Sequence, residues 1–290
     1  MRQRSLGSAD VANEFVILQS GRENYVFDVD QQSTGLTRNT VRVILTGNRN
    51  GFAGGTVLRG ETHSGALSGL SGLSELRTIA AADAPLPFYA AFDGPAAYAL
   101  PASRPGASVL QVGSANRADL NVTGDDNSFQ IDQNSRSALG AQTTNLTNAV
   151  AWTVSGSSNY LYALQVGAGN SATNVVVGQQ NTLAVYQASE AGAGQSGYGN
   201  IVEWRQGTGF GDIQNSAELV QLGINNTLTG AQLGSLNVVH SLQRGAGNEV
   251  YAMQIGSGQL ANVAQAGVGN MTNVQQSTFA PAPGTSALRR

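Results

Sequence analysis

The chain contains no cysteine and no lysine. Without thiols neither a disulfide framework nor a thiolate metal site can form, and a cysteine-free composition fits an exported bacterial chain. All fifteen basic residues are arginine, set against eighteen acidic ones, for a formal net charge of −3. That balance disfavours nucleic acid as a partner. Charged residues make up only 11% of the chain, and residues 213–276 hold only Glu218, Arg244 and Glu249. In a β-rich repeat, sparse charge favours stacking over solubility. Aromatics are few, at 6%, yet 41% of residues are hydrophobic, too many for a disordered chain. No apolar run reaches the roughly 20 residues needed to span a membrane as a helix. The opening MRQRSLGSADVANEFVIL lacks the continuous apolar stretch of a secretory signal. The expectation is therefore a mature or differently started form, or export by another route.

What the chain has in quantity is glycine, 37 of 290 residues, with Gln and Asn at a fixed spacing. Gln221, Gln232, Gln243, Gln254, Gln265 and Gln276 stand eleven residues apart. Two residues after each of the first five comes Gly223, Gly234, Gly245, Gly256 or Gly267. Five residues after each comes Asn226, Asn237, Asn248, Gln259 or Asn270. The unit is Q-x-G-x-x-N-x-h-x-h-x, with h small or apolar. Consecutive units in one phase mark a repeat protein.

Eleven residues admit few backbones. Glycine in every unit and β-branched residues between argue against a helical repeat. A short strand and a tight turn fit better: the seven residues from Asn to Gln span about 23 Å at about 3.3 Å each. The x-G-x-x between them turns the chain through positive φ. Alternation then places Asn, the second and fourth residues after it, and Gln on one face. That face carries Leu228 and Gly230, Val239 and Ser241, Val250 and Ala252, Ala261 and Val263, Thr272 and Val274. The opposite face mixes Thr227, His240, Glu249 and Asn262 with Leu242, Tyr251 and Met253, and reads as the more polar outside. Two strands make one layer, and layers about 4.8 Å apart place Asn over Asn and Gln over Gln. Each amide then donates to one neighbouring layer and accepts from the other. This satisfies polar groups whose burial otherwise costs about 1–3 kcal/mol each.

The pattern QLGINNTLTGAQLGSLN followed by QRGAGNEVYAMQIGSGQ resembles the curlin repeat, the unit of curli-type bacterial amyloid fibres. There too the motif begins with Ser or Asn, continues to Gln, and then Gly and Asn. The resemblance implies an all-β, two-sheet β-solenoid that is secreted and self-assembling at the cell surface. It also implies outer-membrane secretion factors and a nucleating or co-polymerising subunit of the same kind.

The repeat extends beyond that segment. Asn13 to Gln19 is a full strand unit, followed by Gly21 and Asn24. The next unit breaks phase: Asp28 and Asp30 fall where apolar residues belong and Gln31 arrives one residue late, which predicts a bulge or a reversed strand. Asn39 resumes the pattern, Leu45 stands in the Gln position, and Gly47 and Asn50 follow. Gln111, Gly113 and Asn116 restart it, Gly124, Asn127 and Gln133 continue it, and residues 134–147 have no clear register. Asn148, Asn159 with Gln165, Asn170, Asn181 with Gln187, and Asn200 with Gln206 restore it. Extra residues after Gln187 and near 208–212 fall between units, where solenoids tolerate loops.

The organisation expected is an arm at 1–12, a first repeat block at 13–56, an insertion at 57–107, a main block at 108–276 and a tail at 277–290. The insertion has no period. Leu67, Leu70, Leu73 and Leu76 suggest one short helix, and Pro85, Pro87, Pro95, Pro101 and Pro105 exclude a regular central strand. It is expected outside the sheet stack, as a loop or appendage joining two repeat blocks. The expected ladder residues are Gln19, Gln111, Gln165, Gln187, Gln206 and the six glutamines of 221–276. With them go Asn13, Asn159, Asn170, Asn181, Asn200, Asn226, Asn237, Asn248 and Asn270. Gly113 and Gly167 join Gly223, Gly234, Gly245, Gly256 and Gly267 as the expected turn glycines.

Other patterns carry less. Gly192-Ala-Gly194-Gln-Ser-Gly197 matches a dinucleotide fingerprint, but the required helix is replaced by the strand unit Asn200–Gln206, so it reads as a loop. His63 and His240 are the only histidines, and no second imidazole or thiolate is placed to complete a metal site. Asp125-Asp126 and Asp28/Asp30 read as a turn pair and a phase-broken strand rather than as calcium ligands or an acid–base pair. No Ser-His-Asp arrangement is indicated. Sequons such as Asn121-Val-Thr and Asn225-Asn-Thr arise because Asn is a repeat letter. Outward Tyr160, Tyr162, Tyr186 and Tyr251 read either as plain sheet surface or as lateral partner contacts.

The reading is an exported structural subunit of an extracellular fibre for biofilm matrix, adhesion or a surface coat. It would grow by templated end-to-end strand addition to copies of itself, with no catalytic, cofactor or metal residues. The alternative is a monomeric β-solenoid adhesin or ligand-binding protein capped by the insertion. A β-helix polysaccharide lyase or hydrolase would need acidic and basic residues gathered on one face, which scattered Asp and absent Lys disfavour.

Overall fold

In a computed structural model of the chain, the residues described are 2–5, 13–26, 28–33, 38–51, 107–113, 115–135, 147–189, 199–209 and 211–278. They form two nine-stranded sheets in which every pairing is parallel. The odd sheet runs β1 (Arg2–Ser5), β3 (Asp28–Ser33), β5 (Ala107–Val112), β7 (Ser128–Asn134), β9 (Tyr160–Val166), β11 (Thr182–Ala188), β13 (Ser216–Ile224), β15 (Val238–Ala246) and β17 (Leu260–Val268). The even sheet runs β2 (Glu14–Ser20), β4 (Thr40–Thr46), β6 (Asn116–Thr123), β8 (Asn148–Ser157), β10 (Ser171–Gln179), β12 (Ile201–Gln206), β14 (Thr227–Ser235), β16 (Glu249–Ser257) and β18 (Met271–Ser277). The chain alternates between the sheets at every strand, so the fold is a two-sheet β-solenoid.

Local chemistry explains the alternation. Each glycine two residues after a repeat Gln takes a φ near that of Gly245, +109°, a region closed to residues with a Cβ. The residue before most repeat asparagines is left-handed too, but at milder angles that Asn225 (57°), Leu236 (58°) and Asp126 (57°) adopt. Two positive-φ positions in five residues reverse the chain and hand it to the other sheet. Where that position is glycine its φ is one that demands glycine, and Ser135 and Ser189, which stand there after Gln133 and Gln187, do not take it.

The apolar core lies between the sheets. Leu228, Val239, Val250, Leu219, Leu183, Val185, Phe129 and Ile131 are fully buried there, along with Trp152 and Trp204. Trp204 is accommodated by Gly230 on the next strand, where a Cβ would come within 2.5 Å of its ring.

Of the bulge or reversed strand expected at β3, the reversal is corrected. β3 is parallel and in register, with Val29 opposite Val109 and Gln31 opposite Gln111. The Tyr25 N–H donates to the Asn50 carbonyl at 2.8 Å, which sets Tyr25 opposite Gly51, and Asp28 stands opposite Ser108, so the extra residue falls between Tyr25 and Asp28, on the strand side of the turn. Residues 2–5, within the segment read as an arm, pair with β3 as β1. The ambiguous stretch before β8 ends in register, with Asn148 opposite Asn116.

The insertion expected at 57–107 lies outside the described residues except for Ala107, the first residue of β5. Its point of departure is defined. The Gly51 N–H donates to the Asn127 carbonyl at 2.6 Å, the bond that Ser128 makes to Asn159 one layer on. Ala107 pairs with Phe129. Gly51 and Ala107 thus occupy consecutive positions of one strand.

The two outer faces differ. On the even sheet, outward Arg42, Asn121, Thr173, Glu203 and Arg205 are exposed. On the odd sheet, outward Tyr162, Tyr186, Val220 and Leu222 are 0% exposed and Leu242 is 1%. The outer face, read as more polar but not cleanly so, is exposed on the even sheet and largely buried on the odd sheet.

Candidate self-assembly surface

The glutamines of the odd sheet form one continuous row. Nε2 of Gln31 donates to Oε1 of Gln111, and the same bond repeats through Gln133, Gln165, Gln187, Gln221, Gln243 and Gln265 at 2.8–3.2 Å. Each also ties the sheets together: Gln243 Nε2 donates to the Thr227 carbonyl of β14 and to the Asn248 carbonyl, both at 2.9 Å. In the even sheet, Gln206, Gln232, Gln254 and Gln276 make a second row at 2.7–3.0 Å. There the row stops at Gln206, because Val176, Val154, Val122 and Leu45 occupy the equivalent places on β10, β8, β6 and β4. Gln206 Oε1 is buried with no hydrogen-bond partner at that break. Gln19 is exposed on β2 beside Leu45 and is separated from the other glutamines of its sheet by those four apolar residues.

Asparagines line both turns. On one edge Asn13, Asn39, Asn116, Asn148, Asn170, Asn200, Asn226, Asn248 and Asn270 follow one another, each Oδ1 accepting from the next residue's main-chain N–H, side-chain Nδ2 or both. On the other edge the sequence is Asn24, Asn50, Asn127, Asn159, Asn181, Asn215, Asn237 and Gln259. Asn248 shows the full set: its Nδ2 reaches Asn226 Oδ1 at 2.9 Å and the carbonyls of Arg244 and Gly267 at 3.0 Å. Such a residue caps its own turn, the turn above it and the amide below.

The turn glycines stand in columns. Gly223, Gly245 and Gly267 stack on one edge, Gly234 and Gly256 on the other, and Gly113 and Gly167 at +93° and +88° belong to the same position of earlier odd-sheet turns. Asn215 was missed from the sequence because the extra residues after Gln206 hide it; its place six residues before Gln221 is the signal that finds it. Gln31 and Gln133 complete the odd row.

The rows have opposite polarity. In the amide-to-amide bonds asparagines donate toward the β1 end and glutamines toward the β18 end, while asparagine Nδ2 groups also donate to a turn carbonyl of the next layer, as Asn248 does to Gly267. At the β17–β18 end the rows therefore finish on an acceptor, Oδ1 of the exposed Asn270, and on donors of Gln265 and Gln276. With no glutamine beyond it, Gln265 Nε2 turns to the Thr272 hydroxyl at 2.9 Å. Gln276 Nε2 turns to the Leu260 carbonyl at 2.9 Å. Each of β17 and β18 pairs on one side only among the described residues. Leu260, Val268 and Met271 are 56%, 80% and 76% exposed there.

The remaining polar groups are engaged locally. Asp125 accepts the Asn48 N–H at 2.7 Å and Asp126 pairs with Arg49 at 2.6 Å, both in turns. His240 Nδ1 lies 2.9 Å from Glu218 Oε2 on the outer face of the odd sheet. Tyr251 is half-buried on the even face beside Met253. The 192–197 glycine pattern and His63 lie outside the described residues. Among the described residues no helix is long and apolar enough to cross a membrane.

Residues 106–134 match the family model of the curlin associated repeat. The match covers β5, β6 and β7, one full layer and the strand that begins the next. The curlin repeat belongs to structural fibre subunits rather than to enzymes. No curated protein and no solved structure matches the chain.

Proposed function

We propose that this chain is an exported structural subunit of an extracellular curli-like fibre, and that it grows by head-to-tail addition of copies at the open ends of its stack. The observation that carries this reading is the opposed polarity of the amide rows. A second copy stacked in the same direction brings asparagine donors to Asn270 Oδ1 and glutamine acceptors to the Nε2 groups of Gln265 and Gln276. A copy stacked head-to-head sets like against like. Parallel strand edges impose the same direction, because β17 and β18 offer unpaired backbone to an in-register neighbour. The curlin match at residues 106–134 supports the same class. The interface is heterologous and does not close on itself, so it yields filaments rather than rings. A nucleating curlin-like subunit and outer-membrane secretion factors are the partners this reading brings with it, and biofilm matrix, adhesion or a surface coat is its use.

The direct test is dilution of the purified chain from denaturant, followed by electron microscopy and fibre diffraction. Fibres with reflections near 4.7 and 10 Å are expected. A clear solution of stable β-rich monomer would end this reading and favour a monomeric adhesin.

A further inference from the structure

We propose that Asn50–Gly51 is a spontaneous deamidation site, open in the unfolded chain and closed by folding, so that a chain held unfolded loses its competence to build the turn after β4. The proposal rests on the fold of the single chain and stands whether or not copies assemble.

Of all the asparagines in the chain, Asn50 alone is followed by glycine. At the same place on its edge, Asn127, Asn159 and Asn181 are followed by Ser128, Tyr160 and Thr182. The fold fixes both residues of the pair. Asn50 is 0% exposed and belongs to the asparagine row. Gly51 has a φ of +74°, and a Cβ there would lie 2.0 Å from the Tyr25 carbonyl oxygen and 2.5 Å from the Cβ of Ala107. The amide row demands the asparagine and the close approach of Tyr25 demands the glycine. Together they make the dipeptide that is chemically least durable in a flexible chain.

The reaction is an attack by the main-chain nitrogen of Gly51 on Cγ of Asn50. A new N–Cγ bond closes a five-membered imide, the Gly51 proton passes through water to Nδ2, and Nδ2 leaves as ammonia. A second water opens the imide at one carbonyl or the other, which yields aspartate or its β-linked isomer. A side chain on the attacking residue hinders the closure, and glycine has none. In the folded chain both reacting groups are held. The Gly51 N–H donates to the Asn127 carbonyl at 2.6 Å. Asn50 Nδ2 donates to Asn24 Oδ1 at 3.1 Å and to the Gly124 carbonyl at 2.7 Å. Its Oδ1 accepts from the N–H and Nδ2 of Asn127 at 3.1 and 3.0 Å. The amide is therefore kept from swinging onto its own backbone. Either product spoils the site. Aspartate sets a carboxylate oxygen against two acceptors, Asn24 Oδ1 and the Gly124 carbonyl, in a buried position. The β-linked isomer adds a carbon to the backbone of a turn that is bonded to the layers on both sides.

Peptide mapping by mass spectrometry of the full chain tests this. One sample is held folded and another in guanidinium chloride, in the same mildly alkaline buffer. Asn50 should convert at least about tenfold faster in the denatured sample, because a buried group reacts only through opening. Asn127, followed by Ser128, should lag behind it there. Equal rates for Asn50 in the two samples would overturn the proposal, and so would an Asn127 that keeps pace with Asn50 in denaturant. Gly51→Ser, read in denaturant where no fold is needed, should slow conversion at Asn50, and an unchanged rate would refute the assignment to this pair. When denaturant is removed from a partly converted sample, the protease-resistant material should be depleted of the converted form. Its recovery there in full proportion would overturn the loss of competence.

Discussion

Gly245 and Gly267 sit in register on β15 and β17, and a Cβ on Gly245 would lie 2.0 Å from the carbonyl oxygen of Gly267. The glycine column is therefore a packing requirement between layers as well as a conformational one. Gly267 has the same φ, +111°, but the nearest atom to its own Cβ would be Asn270 Nδ2 at 3.4 Å, because no layer follows it. The two glycines allow conformational strain and layer contact to be separated.

Gly245→Ala should combine backbone strain of about 1–3 kcal/mol with an immovable backbone clash, and should unfold the local stack. Gly267→Ala should show the strain alone. Chemical denaturation of the two variants checks this, with a clearly larger loss for Gly245→Ala. Equal losses would mean that layer contact contributes nothing at this position.

The amide rows make a second prediction. Gln232→Ala leaves Gln254 without its donor, and Asn248→Ala removes one of two donors to Asn226 Oδ1, the side-chain donor to two carbonyls and the acceptor of Asn270. At roughly 1–3 kcal/mol for each orphaned buried group, both should lower stability well beyond Thr229→Ala, an outward change on the same β14 as Gln232. Denaturation midpoints of the three variants decide it, and Asn248→Ala should rank worst.

The fold could be read from residues 221–276 because each eleven-residue unit there repeats both the strand pattern and the turn glycine. A phase that never slips leaves one choice of inward face, and Leu228, Val239 and Val250 are on it. At β3 the sequence left a bulge and a reversed strand open, because Tyr25, Phe27 and Val29 alternate as an in-phase strand would; the parallel pairing excludes the reversal. Asn215 was hidden for another reason, behind extra turn residues. The gap in the even glutamine row needed a count of layers through 134–147, where the period is silent, before Val122, Val154 and Val176 could be placed in line with Leu45. The burial of His240 and Leu242 was illegible for a different reason. Alternation assigns a residue to a face but carries no information about how exposed that face is.

That gap supplies a third prediction. Val176 and Val154 are both 1% exposed and lie in line below Gln206, whose Oε1 has no partner. In Val176→Gln the introduced amide can donate to Gln206 Oε1, so the orphaned oxygen moves down one layer rather than doubling. In Val154→Gln the introduced amide meets valine on the next strand, and Gln206 stays unsatisfied. Val176→Gln should therefore be the milder change by about 1–3 kcal/mol, the worth of one buried polar group. A reversed ranking in thermal or chemical unfolding would show that volume, not hydrogen bonding, dominates at this site.

The last prediction concerns direction of growth. In head-to-tail assembly a copy with a sound β1–β2 end and a spoiled β17–β18 end still adds to a fibre, then stops it. Gly267→Ala with Asn270→Leu is such a copy. The first change places a Cβ where the next layer's backbone must come, as at Gly245, and the second removes the acceptor at the end of the asparagine row. Both residues lie at the last layer, where Asn270 is exposed, so the rest of the stack keeps its contacts. Mixed at a small fraction into unmodified chain, this variant should shorten fibres and slow elongation far beyond its share of the mixture. Gln275→Ala, an exposed outward change on β18, provides the control and should do neither. Mean fibre length by electron microscopy against the fraction of variant gives the measurement. A fall merely proportional to dilution would mean that the spoiled end is not where copies join, and the head-to-tail scheme would have to be abandoned.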